Sequence, residues 1–316
     1  MIEFKILEKT PTCAKDKTHY YCDYMELIAL SAGTDGISSS DIYDRYQEDQ
    51  RINEIGSRMG AETNEAWMSD IENWFLEITS RIEAYGDKYP FSYSKGRLIV
   101  SQNLSEGQLM YIGLLLCSSL RYIENSSAFS SAFEYASLCA MKRYLPAYAE
   151  VHIFGVSSHA PRYTGSLRDK IELLSADISF PVSSRPNVFR ELDNGDGGID
   201  IIAWLPFQQD INLDKKLLFV GQSAATMDWG RKQSSIDRLK TYLDIETSLL
   251  NVLYVPFDMR DVDRNIREWT LVTTDILFDR HRLLELLDPN ELFSGTIGEN
   301  FKVLIESAVS YEEDIV

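Results

Sequence analysis

The run Asn194-Gly-Asp-Gly-Gly-Ile-Asp-Ile-Ile-Ala-Trp sets the tightest limit on how this chain folds. Three glycines around Asp196 make a tight turn in which the backbone can take positive φ, and the turn launches a buried apolar strand over 199–205. The second residue of that strand is Asp200. A carboxylate inside such a strand is costly unless it is paired or holds a cation. A further apolar strand, 216–221, leads to Gln222, whose side-chain carbonyl is an oxygen donor. Two readings stay open. Adjacent strands bring Asp200 and Gln222 together at one end of a sheet, where oxygen ligands suit Mg²⁺, or Asp196 sits in a plain turn and Asp200 pairs with a nearby arginine.

The rest of the chain falls into two stretches of different grammar. Residues 1–125 carry mostly helical signals: apolar spacing from Asp23 to Leu30, Ser39 and Ser40 as N-caps before Asp41, and a long amphipathic run from Asn64 to Tyr85. That run sets Trp67, Ile71, Trp74, Phe75, Ile78 and Ile82 on one core-facing side. A strand at 97–101 precedes an almost wholly apolar helix reaching Arg121, which predicts burial. The small, polar stretch from Glu124 marks the boundary, giving a mostly helical N-terminal domain over 1–125, for regulation or partner docking, and a second domain over 126–316. The second domain reads as helix 133–145, strand 150–155, helix 166–178, strands 199–205 and 216–221, helix 228–244 and strand 251–256. With helix 166–178 left out as an insertion, the order is α-β-β-β-α-β. The predicted class is therefore α/β (α+β).

This pattern resembles the PD-(D/E)xK nuclease superfamily, in particular its Mrr-type restriction-endonuclease-like branch. In that branch a GDGGxD turn and strand supply a metal-binding Asp, and the next strand supplies Glu or Gln followed two residues later by Lys. Asp200 matches the first and Gln222 the second, and Glu134, in Phe133-Glu134-Tyr135, matches the further acid that the branch carries on its preceding helix. The resemblance covers about residues 128–256 and implies an αβββαβ core and a Mg²⁺-dependent endonuclease, with Mn²⁺ as a substitute. One position departs: Gln222-Ser223-Ala224 has alanine where the motif lysine belongs. Lys232, beside Arg231 on the next predicted helix, is the candidate replacement, and a solvated helix residue is the alternative. The expected site is thus Glu134, Asp200, Gln222 and Lys232, with the first three as metal ligands. A degenerate nuclease fold acting as a non-enzymatic scaffold is the second expectation.

Composition narrows the partners. With 31 Lys+Arg against 49 Asp+Glu the formal charge is −18, which argues against a broad nucleic-acid coat. By resemblance the substrate is DNA in a bacterial restriction or anti-phage setting. The absence of GxxxxGK[ST] or GxGxxG assigns any motor to a separate NTPase or DNA-binding partner. A homo-oligomer is a further expectation. Cys13, Cys22, Cys117 and Cys139 form no ligand cluster, and the longest apolar run, 109–117, is shorter than a membrane span, so a cytoplasmic protein with reduced thiols and no membrane contact is expected. His152, His159 and the charged group Asp275, Asp279, Arg280, His281 and Arg282 are weaker candidates. The histidines read as hydrogen-bonded groups, and the charged group reads either as a substrate-binding edge or as a solvated salt-bridge network.

Overall fold

A computed structural model describes residues 3–14, 17–49, 58–124, 126–155, 162–189, 195, 197–207 and 216–311, of which 58–63 are described by their backbone alone. His159, Asn194 and Asp196 lie outside the described residues. The chain forms two units, one of Met1–Phe129, Phe257–Arg267 and Glu299–Val316, the other of Ser130–Pro256 and Glu268–Gly298. Residues 126–129, 257–267 and 299–316, which the sequence division counts with the second half, belong to the first unit. No helix among the described residues is long and apolar enough to cross a membrane, and the four cysteines are free thiols.

The first unit holds helices α1 (Thr18–Ser31), α2 (Ser39–Glu48), α3 (Arg58–Tyr85) and α4 (Glu106–Ser118), with a small sheet of β1 (Ile37–Ser38), β2 (Phe91–Ser94) and β3 (Arg97–Val100). The cap of α2 is Ser38, one residue before the expected pair. Its hydroxyl accepts from the Asp41 N–H at 3.3 Å while Asp41 accepts from the Ser38 N–H at 2.8 Å. The serine three residues before the acid closes this reciprocal box, so Ser39 and Ser40 fall inside the helix. Helix α4 buries every residue from Leu109 to Cys117, as its all-round apolar sequence predicts. Strand β2 was not anticipated. Lys95 and Gly96 both take positive φ, 52° and 77°, the backbone of a two-residue hairpin turn that Lys-Gly signals weakly.

The apolar side of α3 also carries a charge. Arg81 is fully buried, and its Nη1 donates to Asp23 Oδ1 and Glu26 Oε1, both at 2.8 Å, while Nε lies 3.3 Å from Asp258 Oδ2. Glu26 also accepts from Tyr89 and Tyr111 hydroxyls at 2.7 and 2.9 Å, and Asp258 from Arg264 at 3.0 Å. Segment 257–267 is fastened to α1 and α3 through these ions.

Beside this network lies His19, wholly buried against the rings of Tyr20 and Phe257, with neither ring nitrogen hydrogen-bonded among the described residues. Burial holds its pKa down to about 3. Between about pH 3 and the ordinary histidine value near 6.5, the unfolded chain takes up a proton here that the folded chain refuses, so folding stability falls as pH drops through that window. At pH 4.5 this amounts to at most about 3 kcal/mol. Urea titrations at pH 7 and 4.5 should show His19→Phe gaining on the wild type by that order at the lower pH. A stability difference that does not change with pH would contradict the assignment.

The second unit contains α5 (Ser126–Tyr144, which begins in the first unit), β4 (Glu150–Ile153), α6 (Leu167–Ile178), β5 (Ile201–Trp204), β6 (Leu218–Ser223), α7 (Ser235–Tyr242), β7 (Leu249–Tyr254), β8 (Ile276–Phe278), α8 (Arg280–Leu286) and α9 (Pro289–Leu292). Helix α10 (Gly295–Val309) carries the chain onward from there. Its sheet has the order β4-β5-β6-β7-β8, antiparallel across β4/β5/β6 and parallel across β6/β7/β8. This is a mixed α/β architecture, as expected. Every residue of β5 and β6 is buried, which explains their continuous apolar runs. Ile171, Leu174 and Ile178 of α6 and Leu239 of α7 form one core with Ile202, Trp204, Leu218 and Val220.

Two expected elements are shorter than predicted. The helix expected over 228–244 is a 3₁₀ turn, Trp229–Lys232, followed by α7. The Gln233 carbonyl accepts from Asn251 Nδ2, and its side chain bonds the backbone of Gly230, Leu271 and Thr273, which ends the turn there. The strand-like stretch 269–278 is a 3₁₀ turn and the three residues of β8. The charged group around it is structural. Asp279 caps α8, buried Arg280 donates to Pro256 O at 2.8 Å, Arg282 to Leu277 O at 2.7 Å, and Asp275 accepts from the Asn251 N–H at 2.7 Å.

Candidate active site

The site grows from the glycine turn. Gly197 and Gly198 take φ of 63° and 75°, values a side chain resists, and they deliver Ile199 and Asp200 into the core at the head of β5. Asp200 is fixed from several directions. Its carbonyl accepts from the Phe154 and Gly155 N–H groups at 2.7 and 3.2 Å, tying it to the end of β4. Its N–H donates to Gly221 O at 3.0 Å, and its Oδ2 accepts from the Ser223 N–H at 2.6 Å. Asp200 therefore bonds the residues on either side of Gln222, so the two predicted strand ligands are neighbours at one end of the sheet.

Glu134 reaches the same place from α5. A Cβ built on Gly155 would lie 3.3 Å from Glu134 Oε2 and 3.5 Å from Asp200 Oδ1, so both carboxylates border a single point beside a glycine. Any larger residue at 155 would crowd the space between the acids. One helical turn on, the Ser137 hydroxyl meets the Ser223 hydroxyl at 3.2 Å, which anchors α5 against the end of β6. Gln222 is almost completely buried, and its Oε1 has no hydrogen-bond partner among the described residues. A buried amide oxygen left so costs about 1–3 kcal/mol, which a ligand would recover.

Two carboxylates, with a partnerless amide oxygen on the residue next to Asp200 across the sheet, are the donor types that suit a hard divalent cation. Glu134, Asp200 and Gln222 would hold it. Among the described residues no group of three or more His, Cys, Asp or Glu side chains is placed to bind a metal.

Lys232 lies in the 3₁₀ turn rather than on the helix. It is half-buried, and its Nζ is 3.5 Å from the carbonyl of Ser223, the residue that bonds Asp200. The structure thus brings its ammonium to the edge of the acid site. Ala224, at the motif lysine position, is fully buried and donates its N–H to Tyr254 O at 2.8 Å, extending the β6/β7 ladder. His152 stands apart from this end: its Nε2 is 3.0 Å from Glu150 Oε2, its ring packs against Trp204, and burial lowers its pKa.

Sequence reasoning missed Gly155, Ser223, Lys170 and Arg238. Lys170, in α6, is buried and donates to Gly155 O at 3.3 Å and Gly195 O at 3.5 Å, binding the β4 exit to the glycine turn. A lysine on the core side of an amphipathic helix was the available signal. Comparison with known protein families, curated proteins and solved structures finds no match for this chain.

Proposed function

We propose that the second unit is a Mg²⁺-dependent endonuclease that hydrolyses DNA phosphodiester bonds in a restriction or anti-phage system. The observation that carries this reading is the approach of the Glu134 and Asp200 carboxylates to one point beside Gly155, at the sheet end where Asp200 bonds the residues flanking Gln222. The element order α5-β4-β5-β6-α7-β7, with α6 inserted, supports it further, being the order that the resemblance implies.

A divalent ion held there supplies Lewis acidity to a phosphate and to water. The protein's own groups do the rest. Ser223 and the β4 exit hold Asp200 rigidly, so its carboxylate needs no reorganisation when a substrate arrives. The Lys232 ammonium stabilises negative charge that builds on the phosphate oxygens. Burial of Asp200 and Gln222 keeps bulk water from screening that interaction. With a net charge of −18, DNA delivery falls to a separate NTPase or DNA-binding protein, and cleavage should weaken as salt rises.

Purified protein incubated with supercoiled plasmid should nick or linearise it with Mg²⁺ or Mn²⁺ and leave it intact with EDTA. Plasmid that stays intact with either metal, with and without an added partner, rejects the enzyme. Lys232→Ala should lower the turnover rate about 10²–10³-fold and leave the urea midpoint unchanged, since the side chain is half-exposed and makes one long contact. Wild-type turnover in this variant would remove Lys232 from the chemistry. Buried Ala224 in the lysine position favours a second reading, a nuclease fold retained as a scaffold in a defence complex. That reading predicts the same plasmid result for wild type and Asp200→Ala.

A further inference from the structure

Two cations touch the glycine turn, and their surroundings differ. Lys170 is 4% exposed, and its ammonium is turned onto the carbonyls of Gly155 and Gly195. Arg238 reaches the same turn at Gly198 from α7. Its guanidinium stands in the space that a Cβ on Gly198 would take, with Cζ 2.6 Å from that point. One turn along α7, the Tyr242 ring takes the corresponding place at Gly197, with Cε2 at 3.0 Å. The α7 side chains at i and i+4 therefore grip two successive glycines, which accounts for the absence of side chains at both.

Arg238 is half-buried, and among the described residues its guanidinium makes no hydrogen bond and no ion pair. An arginine that served only to brace the turn would be expected to bond backbone carbonyls, as Lys170 does. Here a planar cation with five donors is fixed two residues from Asp200 with its hydrogen-bonding capacity unused. The ligand matching a rigid, forked, permanently charged donor is an anion with paired oxygens, and beside a phosphodiesterase site that anion is a backbone phosphate.

We infer that Arg238 binds a DNA phosphate next to the one being cleaved and adds affinity for the strand there. The inference rests on the endonuclease reading above. Arg238 is a substrate-binding residue in this scheme, so its loss weakens binding and leaves the chemical step intact.

The test measures binding of a fluorescein-labelled DNA duplex by anisotropy over a salt series, with Ca²⁺ in place of Mg²⁺, beside plasmid cleavage with Mg²⁺. Wild type, Arg238→Ala, Arg238→Gln, Arg238→Lys and Asp200→Ala are compared, with urea midpoints for each. Arg238→Gln keeps a stem over Gly198 in case alanine disturbs the turn. The expected result for the Ala and Gln variants is a Kd raised about tenfold, a log–log salt slope reduced by about one, and a KM raised with kcat unchanged. Arg238→Lys should restore the salt slope and only part of the affinity. Wild-type Kd and slope in both the Ala and Gln variants, while Asp200→Ala has lost cleavage, overturn the assignment and leave the active-site reading standing. Equal cleavage by wild type and Asp200→Ala overturns both.

Discussion

Asp200→Ala is expected to lower the plasmid cleavage rate at least about 10³-fold, the equivalent of about 4 kcal/mol of transition-state stabilisation. Removing the carboxylate takes away one of the two acids beside Gly155 and leaves Glu134 there. The same change has a structural cost. The Ser223 N–H donates to Asp200 Oδ2 at 2.6 Å in a buried setting, so alanine leaves that donor unsatisfied and lowers stability by about 1–3 kcal/mol. Asp200→Asn separates the two effects. An amide oxygen can still accept from Ser223, so this variant should stay near wild-type stability in urea while its cleavage falls as far as that of the alanine variant. Asparagine at wild-type activity would show that the charge at this position has no part in catalysis.

Arg81→Met should destabilise the first unit by about 3–5 kcal/mol. The cost comes less from the lost bonds than from what stays behind. Asp23, Glu26 and Asp258 are all buried, and each loses a cation that it contacts within 3.3 Å. Glu26 keeps two tyrosine hydroxyls, Asp258 keeps Arg264 and Asp23 keeps the Ser118 hydroxyl, but none of these neutral or shared contacts replaces the buried guanidinium. Arg81→Lys should recover only part of the loss, because one ammonium cannot reproduce a fork that meets carboxylates from α1 and from segment 257–267 together. A urea midpoint that corresponds to a loss under about 1 kcal/mol would mean that the acids find other counter-ions or take up protons.

The parts of this protein that were legible in sequence are those fixed by local rules. The apolar run of α4 predicts its burial, and the glycines before Ile199 predict a turn at positive φ. The serines before Asp41 predict that a helix starts there, although the cap is Ser38 and not Ser39 or Ser40. Adjacent apolar strands also made Asp200 and Gln222 foreseeable neighbours, because consecutive strands commonly pair.

Other features depend on partners far along the chain. Arg81 looks like an interruption in the apolar side of α3 until α1 and segment 257–267 bring three carboxylates to it. The predicted helix over 228–244 has an ordinary helical pattern, and it breaks at Gln233 because Asn251 and the 271–274 segment claim that residue's hydrogen bonds. The conjunction of Gly198 with Arg238 has no local signature at all, since neither residue is unusual for its own element.

The sequence by itself determined a mixed α/β protein with a buried strand headed by an acid, because helix and strand periodicity and glycine's conformational freedom act within a few residues. Only the tertiary structure decided which charges share a space: Glu134 with Asp200 beside Gly155, Lys232 beside Ser223, and Arg238 over Gly198. Those meetings follow from strand order and from the packing of α5, α6 and α7 on the sheet. A side chain's partners across that packing are set by the whole core and not by its neighbours in the chain.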